Sequence, residues 1–173
     1  SLDIDQSLIL HYHCRSEEDL LLTLMSHWDK LDFDVLTGWY SRYFDVPYLI
    51  RRVSRILGPD ESLTFSPWRR VEFVQRRVKD RTLDSFELFG ITHLDYMDLF
   101  QKFGYAYGAQ ESYSLNHISG VVLGEQKLSY EGFDSLMDLM TRDPQRYVEY
   151  NIRDVDLVRR IDEKCGYIDL AHE

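Results

Sequence analysis

A tyrosine and an aspartate near the C-terminal end of the sequence, Tyr150 and Asp154, are spaced four residues apart. In a helix this spacing places both side chains on one face. The carboxylate could hold a divalent cation, and the phenol could hydrogen-bond a water or phosphate oxygen on that cation. So short a motif also recurs by chance, and a buried tyrosine ring followed by an exposed aspartate is the simpler interpretation.

A second acidic residue, Asp45, follows a predicted strand at residues 33–38 and begins the next predicted helix. In α/β folds, functional groups are exposed beyond the ends of such strands. Two interpretations stay open for this carboxylate: it caps the helix, with Pro47 in the first turn, or it binds a metal ion. Ligands that are all carboxylates favour a hard cation such as Mg²⁺ or Mn²⁺.

Strands and helices alternate in the first third of the chain, where they must position Asp45. Apolar and aromatic runs predict strands at residues 8–14 and 33–38. Helical periodicity predicts one helix from an N-cap at Ser16 to about residue 29, and another over residues 45–58. This order predicts an α/β fold with a partly parallel, mixed sheet and flanking helices.

A predicted β-hairpin interrupts the alternation: residues 68–78 and 83–91 have the pattern of strands, and residues 79–82 that of a turn. Further helices are predicted at residues 94–103, from an N-cap at Ser114 to residue 122, at residues 133–140, and from an N-cap at Asp143 to Gly166. We expect a single domain of 173 residues that is part of a larger protein.

The composition excludes several classes of protein. Apolar residues make up 44% and aromatic residues 14% of the chain, which excludes a disordered protein. Two cysteines, Cys14 and Cys165, are too few for a disulfide framework or a zinc cluster. Two cysteines also fit a reducing compartment, and the apolar runs are too short to span a membrane, so we expect a soluble intracellular domain.

The net charge is −10, but residues 51–81 hold nine basic side chains against four acidic ones. This basic segment is either a solvated face of an acidic protein or a surface that contacts phosphates. The acidity of the rest would then serve another purpose, such as holding metal ions.

Five segments, in order, resemble motifs of the large replicative DNA polymerases of family B from tailed phages of the myovirus type. Residues 37–48, with Thr37-Gly38-Trp39 and Phe44-Asp45, are similar to the second exonuclease motif. Residues 94–103 (LDYMDLFQKF) resemble a Leu-Asp-Tyr-x-Asp-Leu-Tyr-Lys-Lys-Phe segment. Residues 113–115 and 124–132 follow in the same order, and residues 145–155 resemble the third exonuclease motif.

The resemblance implies part of a 3′→5′ proofreading exonuclease domain with a ribonuclease H-like α/β fold and an inserted hairpin. By position, Asp45 and Asp154 match metal-binding residues of that family, and Tyr150 matches its catalytic tyrosine. The implied chemistry is two-metal hydrolysis of the 3′-terminal phosphodiester of DNA, with Mg²⁺ or Mn²⁺ and with Tyr150 orienting the attacking water.

The resemblance also implies contacts with DNA. The hairpin would lie between the exonuclease site and the duplex, and its basic residues Arg76, Arg77, Lys79 and Arg81 would meet the phosphate backbone. Tyr40 and Phe44 could stack on frayed 3′ bases, although core packing is an equally good interpretation for Phe44. The implied partners are a single-stranded 3′ end, primer-template DNA, the rest of the polymerase chain and a replisome clamp, in the cytoplasm of an infected host cell.

Two departures from the family pattern bear on activity. The family's first motif, Asp-x-Glu, is absent from the sequence, and Asp3-Ile4-Asp5 is interpreted as a coincidence or a linker. Tyr40 stands where the family usually carries asparagine. We therefore expect the isolated chain to bind metal weakly and to cut DNA poorly. The alternatives are a non-catalytic module that binds single-stranded DNA or a partner, and an unrelated α/β domain.

Overall fold

The computed structural model describes residues 9–78, 80–125 and 132–172, which fall into two compact units, 9–95 and 96–172. Residues 3–5, interpreted as a coincidence or a linker, and the predicted contact residue Lys79 lie outside the described residues, as does most of the segment 124–132. Within the described ranges, no helix combines the length and apolar character that a membrane span requires.

Helix α1 (Glu17–Leu31) begins as the sequence predicts. The Ser16 hydroxyl accepts a hydrogen bond from the Asp19 backbone N–H at 3.1 Å, and the Asp19 carboxylate accepts one from the Arg15 N–H at 2.9 Å. The Asp19 N–H, one of the groups that a helix start leaves unpaired, is thereby satisfied.

The predicted strand at residues 8–14 is wrong for its described part, residues 9–14, which form no strand. Leu10 is 76% exposed and Tyr12 is 50% exposed. A run with strand composition becomes a strand only where a neighbouring strand supplies hydrogen bonds, and no partner strand pairs with these residues in the described part of the chain.

A short parallel pair of strands lies at the centre of the first unit. Strand β1 (Val35–Gly38) pairs with β4 (Thr92–Asp95), and Gly38 stands opposite Asp95. The prediction that residues 94–103 are all helical is wrong at its start, because Leu94 and Asp95 pair with β1 before helix α4 (Tyr96–Phe103) begins. The predicted sheet does contain a parallel pair, but the strand that pairs with β1 was not predicted.

The predicted β-hairpin is confirmed. Strands β2 (Val71–Val78) and β3 (Arg81–Leu88) are antiparallel, with Val78 opposite Arg81 at the turn. In the described residues they form a two-stranded sheet separate from the parallel pair.

Helix α2 (Asp45–Ile56) joins these parts of the first unit, and helix α3 (Pro59–Ser62) follows it. The inward face of α2 is aliphatic and packs in a core with residues of α1, of the segment after α3 and of the hairpin. The buried residues of this core are Leu21, Met25, Val46, Ile50, Val53, Phe65 and Leu88. Since Val46 is 4% exposed, the first turn of α2 is anchored directly beside Asp45.

The second unit is helical, as predicted. It contains α4, then α5 (Leu115–Leu123), α6 (Leu136–Arg142), α7 (Pro144–Cys165) and α8 (Tyr167–His172). Helix α6 begins later than predicted, after an N-cap at Ser135. The predicted ends of α7 are confirmed: the Asp143 carboxylate accepts from the Arg146 N–H at 3.1 Å, and Gly166 ends the helix at a φ of 66°.

Candidate active site

Tyr150 and Asp154 lie on the face of α7 that packs into the second unit. On the same face, one and two turns beyond Asp154, Leu157 and Ile161 are both 0% exposed. Tyr150 and Asp154 are each half-buried, so the aspartate is not the exposed residue of the simpler interpretation. The apolar stripe of the helix therefore continues into a phenol and a carboxylate at the edge of the core.

A cluster of ion pairs fixes the rotation of α7 about its axis. Glu125, beyond the end of α5, accepts from the guanidinium of Arg160 at 2.7 Å and also pairs with Arg153. The hydrogen bond from Arg160, followed by the charge of both arginines, lowers the pKa of the Glu125 carboxyl. Lys164 donates to the Val122 carbonyl at 2.6 Å. Because Arg153, Arg160 and Lys164 flank the stripe of α7 that carries Tyr150 and Asp154, their bonds hold these two side chains in one orientation.

Asp45 is the first residue of α2, and its carboxylate does not cap the helix. Phe44 occupies the N-cap position and makes no side-chain capping bond, so the capping interpretation is wrong. By area Asp45 is exposed, yet desolvation by surrounding protein raises the pKa of its carboxyl, against a hydrogen bond from its own backbone N–H that lowers it. A nearby cation would favour the ionised form and reverse this shift.

The turn between β1 and α2 is held from β4. The backbone N–H groups of Tyr40 and Arg42 donate to the two carboxylate oxygens of Asp95, at 3.0 and 2.9 Å. Asp95 is 1% exposed. Tyr40 has a φ of 61°, in the left-handed region that residues with a side chain rarely adopt.

His93, on the same face of β4, also contacts this turn. Its Nε2 lies 2.9 Å from the Ser41 hydroxyl, and its carbonyl accepts from the Arg42 guanidinium. Burial, with a smaller effect of the Arg42 charge, lowers the pKa of His93 to about 4. The imidazole is therefore neutral near pH 7.

The two candidate stacking residues next to this turn are open to solvent. Phe44 is 66% exposed and Tyr40 is 37% exposed. The interpretation that Phe44 packs in the core is therefore wrong. The rings of Tyr40 and Tyr43 lie 5.7 Å apart in a tilted arrangement.

The basic side chains of the hairpin differ in whether an acidic side chain neutralises them. Arg76 pairs with Glu87 across the strands. Arg77 and Arg81 are exposed at the turn end, and neither forms an ion pair within the described residues. Several other arginines of the basic segment are neutralised by acidic partners, in the pairs Arg51–Asp84, Arg52–Glu17 and Arg70–Glu72.

The candidate residues are divided between the two units. Asp45, Tyr40, Phe44 and the hairpin arginines belong to the first, whereas Tyr150 and Asp154 belong to the second. The carboxylates of Asp45 and Asp154 have the chemistry that a hard cation prefers. Across the described ranges, no three His, Cys, Asp or Glu side chains come together in a group that could hold a metal.

The sequence pattern did not indicate that residues of strand β4 hold the turn between β1 and α2. Asp95 fell within the helix predicted at residues 94–103, and His93 was assigned no role. Their spacing of two residues in a strand, which places both side chains on one face, was the available signal.

This chain is similar to a protein family model and to several known DNA polymerases. A family model described as "DNA polymerase family B, exonuclease domain" matches residues 5–118. The DNA-directed DNA polymerase of Escherichia phage RB69 is 36% identical over 165 residues, which are 94% of this chain and 18% of that protein. The corresponding enzyme of Enterobacteria phage T4 is 36% identical over 90% of this chain and 17% of its own length.

A eukaryotic protein is similar over much the same extent. The DNA polymerase delta catalytic subunit of Dictyostelium discoideum is 31% identical over 159 residues, covering 87% of this chain and 14% of that protein. This chain thus spans less than a fifth of the length of each of these relatives.

Proposed function

This chain belongs to the exonuclease domain of the family-B DNA polymerases, and we propose that it is the 3′→5′ proofreading segment of a longer replicative polymerase. Membership confirms the predicted ribonuclease H-like α/β fold and excludes the alternative of an unrelated α/β domain. Exonuclease domains of this family are generally metal-dependent. The observation that carries the proposal is the placement of Tyr150 and Asp154, both half-buried, on one face of α7.

In the proposed site, Asp45 and Asp154 hold divalent cations, Mg²⁺ or Mn²⁺, with further ligands from outside this chain. Such ions, when bound, neutralise charge on the scissile phosphate and lower the pKa of water. The Tyr150 phenol orients the attacking water by a hydrogen bond. Its half-buried ring and the ion pairs of α7 hold the hydroxyl in place before DNA arrives.

The DNA contacts proposed for this chain are of two kinds. Arg77 and Arg81, with Lys79, contact the phosphate backbone, which positions DNA without reading its sequence. Arg76 contributes less, because Glu87 already neutralises it. Phe44 and Tyr40 stack on the bases of a frayed 3′ end, since both rings are exposed.

The proposed partners are those of a replicative polymerase: primer-template DNA, the remainder of the polymerase chain and a replisome clamp. We place the protein in the cytoplasm of an infected host cell, in line with its phage relatives.

The proposal is tested in the longer protein that contains this chain, by measuring 3′→5′ degradation of single-stranded DNA. Asp154→Asn should reduce the rate by orders of magnitude, because charge neutralisation supplies most of the catalysis of phosphoryl transfer. Asp169→Asn, which removes an exposed carboxylate from α8, is the matched control and should leave the rate unchanged. Equal rates for the parent and Asp154→Asn would show that this site does not cut DNA.

A second candidate is a non-catalytic module of the same fold that binds single-stranded DNA or a partner. Tyr40 favours it, because an exposed aromatic ring stands where the family usually carries asparagine. Calorimetric titration with Mn²⁺ discriminates: the module predicts no heat of binding even in the longer protein, whereas the nuclease predicts saturable binding.

A further inference from the structure

Asp95 is the last residue of strand β4, and the chain opposite it is tightly packed. It stands opposite Gly38 in the parallel pair, and residues 39–44 form a turn directly after Gly38. A Cβ atom on Gly38 would lie 2.8 Å from the Ser41 Cβ, closer than side-chain carbons approach each other. The turn that starts there is therefore packed tightly against the end of its own strand.

The conformation of this turn is costly by itself. A left-handed φ brings the Cβ of any residue other than glycine too close to its own backbone, and Tyr40 adopts such a φ, 61°. Such residues persist only where their surroundings determine the conformation. Here the surrounding group is the Asp95 carboxylate, which accepts the N–H of Tyr40 on one oxygen and that of Arg42 on the other, at 3.0 and 2.9 Å.

The same turn determines the backbone positions of two proposed functional residues. Tyr40 lies within it, and the Ser41 carbonyl accepts from the Val46 N–H at 3.0 Å, which ties the turn to the first turn of α2 beside Asp45. A shift of the turn would therefore move both the Tyr40 ring and the Asp45 carboxylate.

We propose that Asp95 is a positioning residue of the exonuclease site: through two backbone N–H groups it fixes the turn that carries Tyr40 and leads into Asp45. The inference rests on the proposed nuclease function. It assigns Asp95 no contact with DNA or metal, because the carboxylate is 1% exposed and faces the turn.

The test is Asp95→Asn in the longer protein that contains this chain. The asparagine keeps the shape of the side chain and can accept one N–H, but it turns its amide group toward the other donor. We expect exonuclease activity to fall about tenfold to a hundredfold, as for other residues that orient catalytic groups. DNA synthesis by the same protein should persist, and hydrogen exchange at the Tyr40 and Arg42 amides should become faster.

Two controls accompany this variant. Asp34→Asn removes the same charge from an exposed position just before β1 and should match the parent in every measurement. Asp154→Asn separates the two proposals. If the parent and Asp154→Asn degrade DNA alike, the proposed function fails, and amide exchange in the parent and in Asp95→Asn still tests how the turn is held.

Three results would overturn the positioning role. The first is full exonuclease activity in Asp95→Asn while Asp154→Asn is inactive. The second is rapid amide exchange at Tyr40 and Arg42 in the parent protein itself. The third is joint loss of exonuclease and synthesis in Asp95→Asn, because it would show that Asp95 supports the domain as a whole.

Discussion

The two proposed metal-binding carboxylates have different surroundings. Asp154 lies half-buried on the packed face of α7, whereas Asp45 is exposed by area at the start of α2. Desolvation by the surrounding protein raises the pKa of the Asp45 carboxyl. In the proposed metal site, protons would therefore compete with the cation for Asp45 at a higher pH than for an ordinary aspartate.

The corresponding prediction concerns metal affinity in mildly acidic solution. Since cation binding requires the ionised carboxylate, the apparent Mn²⁺ affinity of the longer protein should fall as the pH drops through the raised pKa of Asp45. Calorimetric titrations at a series of pH values measure this. In Asp45→Asn the dependence should disappear along with most of the binding, and an unchanged pH profile in that variant would assign the titration to another group.

Elements with a local signal were predictable from the sequence. Ser16 with Asp19, Ser114, and Asp143 with Pro144 mark helix starts because each carries its own capping chemistry. The hairpin was predictable because alternation and a short turn are also local. The aspartate of the second motif was placed at the start of α2 for the same reason.

Features that depend on distant partners were not predictable. Residues 9–14 have strand composition but no partner strand in the described part of the chain, whereas Leu94 and Asp95 have a helical pattern and yet pair with β1. The bonds from Tyr40 and Arg42 to Asp95 join residues more than fifty positions apart. Periodicity contains no information about such contacts, so the way the turn is held emerged only from the structure.

The start of α7 allows a stability prediction. Asp143→Ala removes the acceptor for the Arg146 N–H and should lower the free energy of unfolding by about 1 kcal/mol. Asp143→Asn is the control, because asparagine caps equally well and should leave stability nearly unchanged. Denaturant unfolding of the two variants measures the difference, and equal losses in both would mean that charge, rather than the capping bond, matters at this position.

The turn end of the hairpin allows a prediction about DNA binding. Arg77→Ala and Arg81→Ala should each weaken binding of primer-template DNA and reduce the salt dependence of the affinity by about one phosphate contact. The comparison variant is Arg55→Ala, on an exposed position of α2 away from the hairpin. Affinity measured at several salt concentrations gives the slopes, and an equal decrease in all three variants would indicate a general effect of net charge.

Across the whole chain, a net charge of −10 coexists with exposed cationic side chains at one end of a hairpin. Much of the basic segment is neutralised internally, which the count of charges along the sequence did not reveal. We propose that the exposed arginines at the turn end of the hairpin are where this acidic chain contacts DNA phosphates.

We propose that the carboxylates of Asp45 and Asp154 both bind the divalent cations of the nuclease. A double-mutant cycle of Mn²⁺ binding in the longer protein tests it, with Asp45→Asn, Asp154→Asn and the double variant titrated calorimetrically. We predict that each single variant weakens binding strongly and that the double variant loses little more than the weaker-binding single variant. Losses that add in full would show that the two carboxylates act at separate sites and would contradict the proposed nuclease.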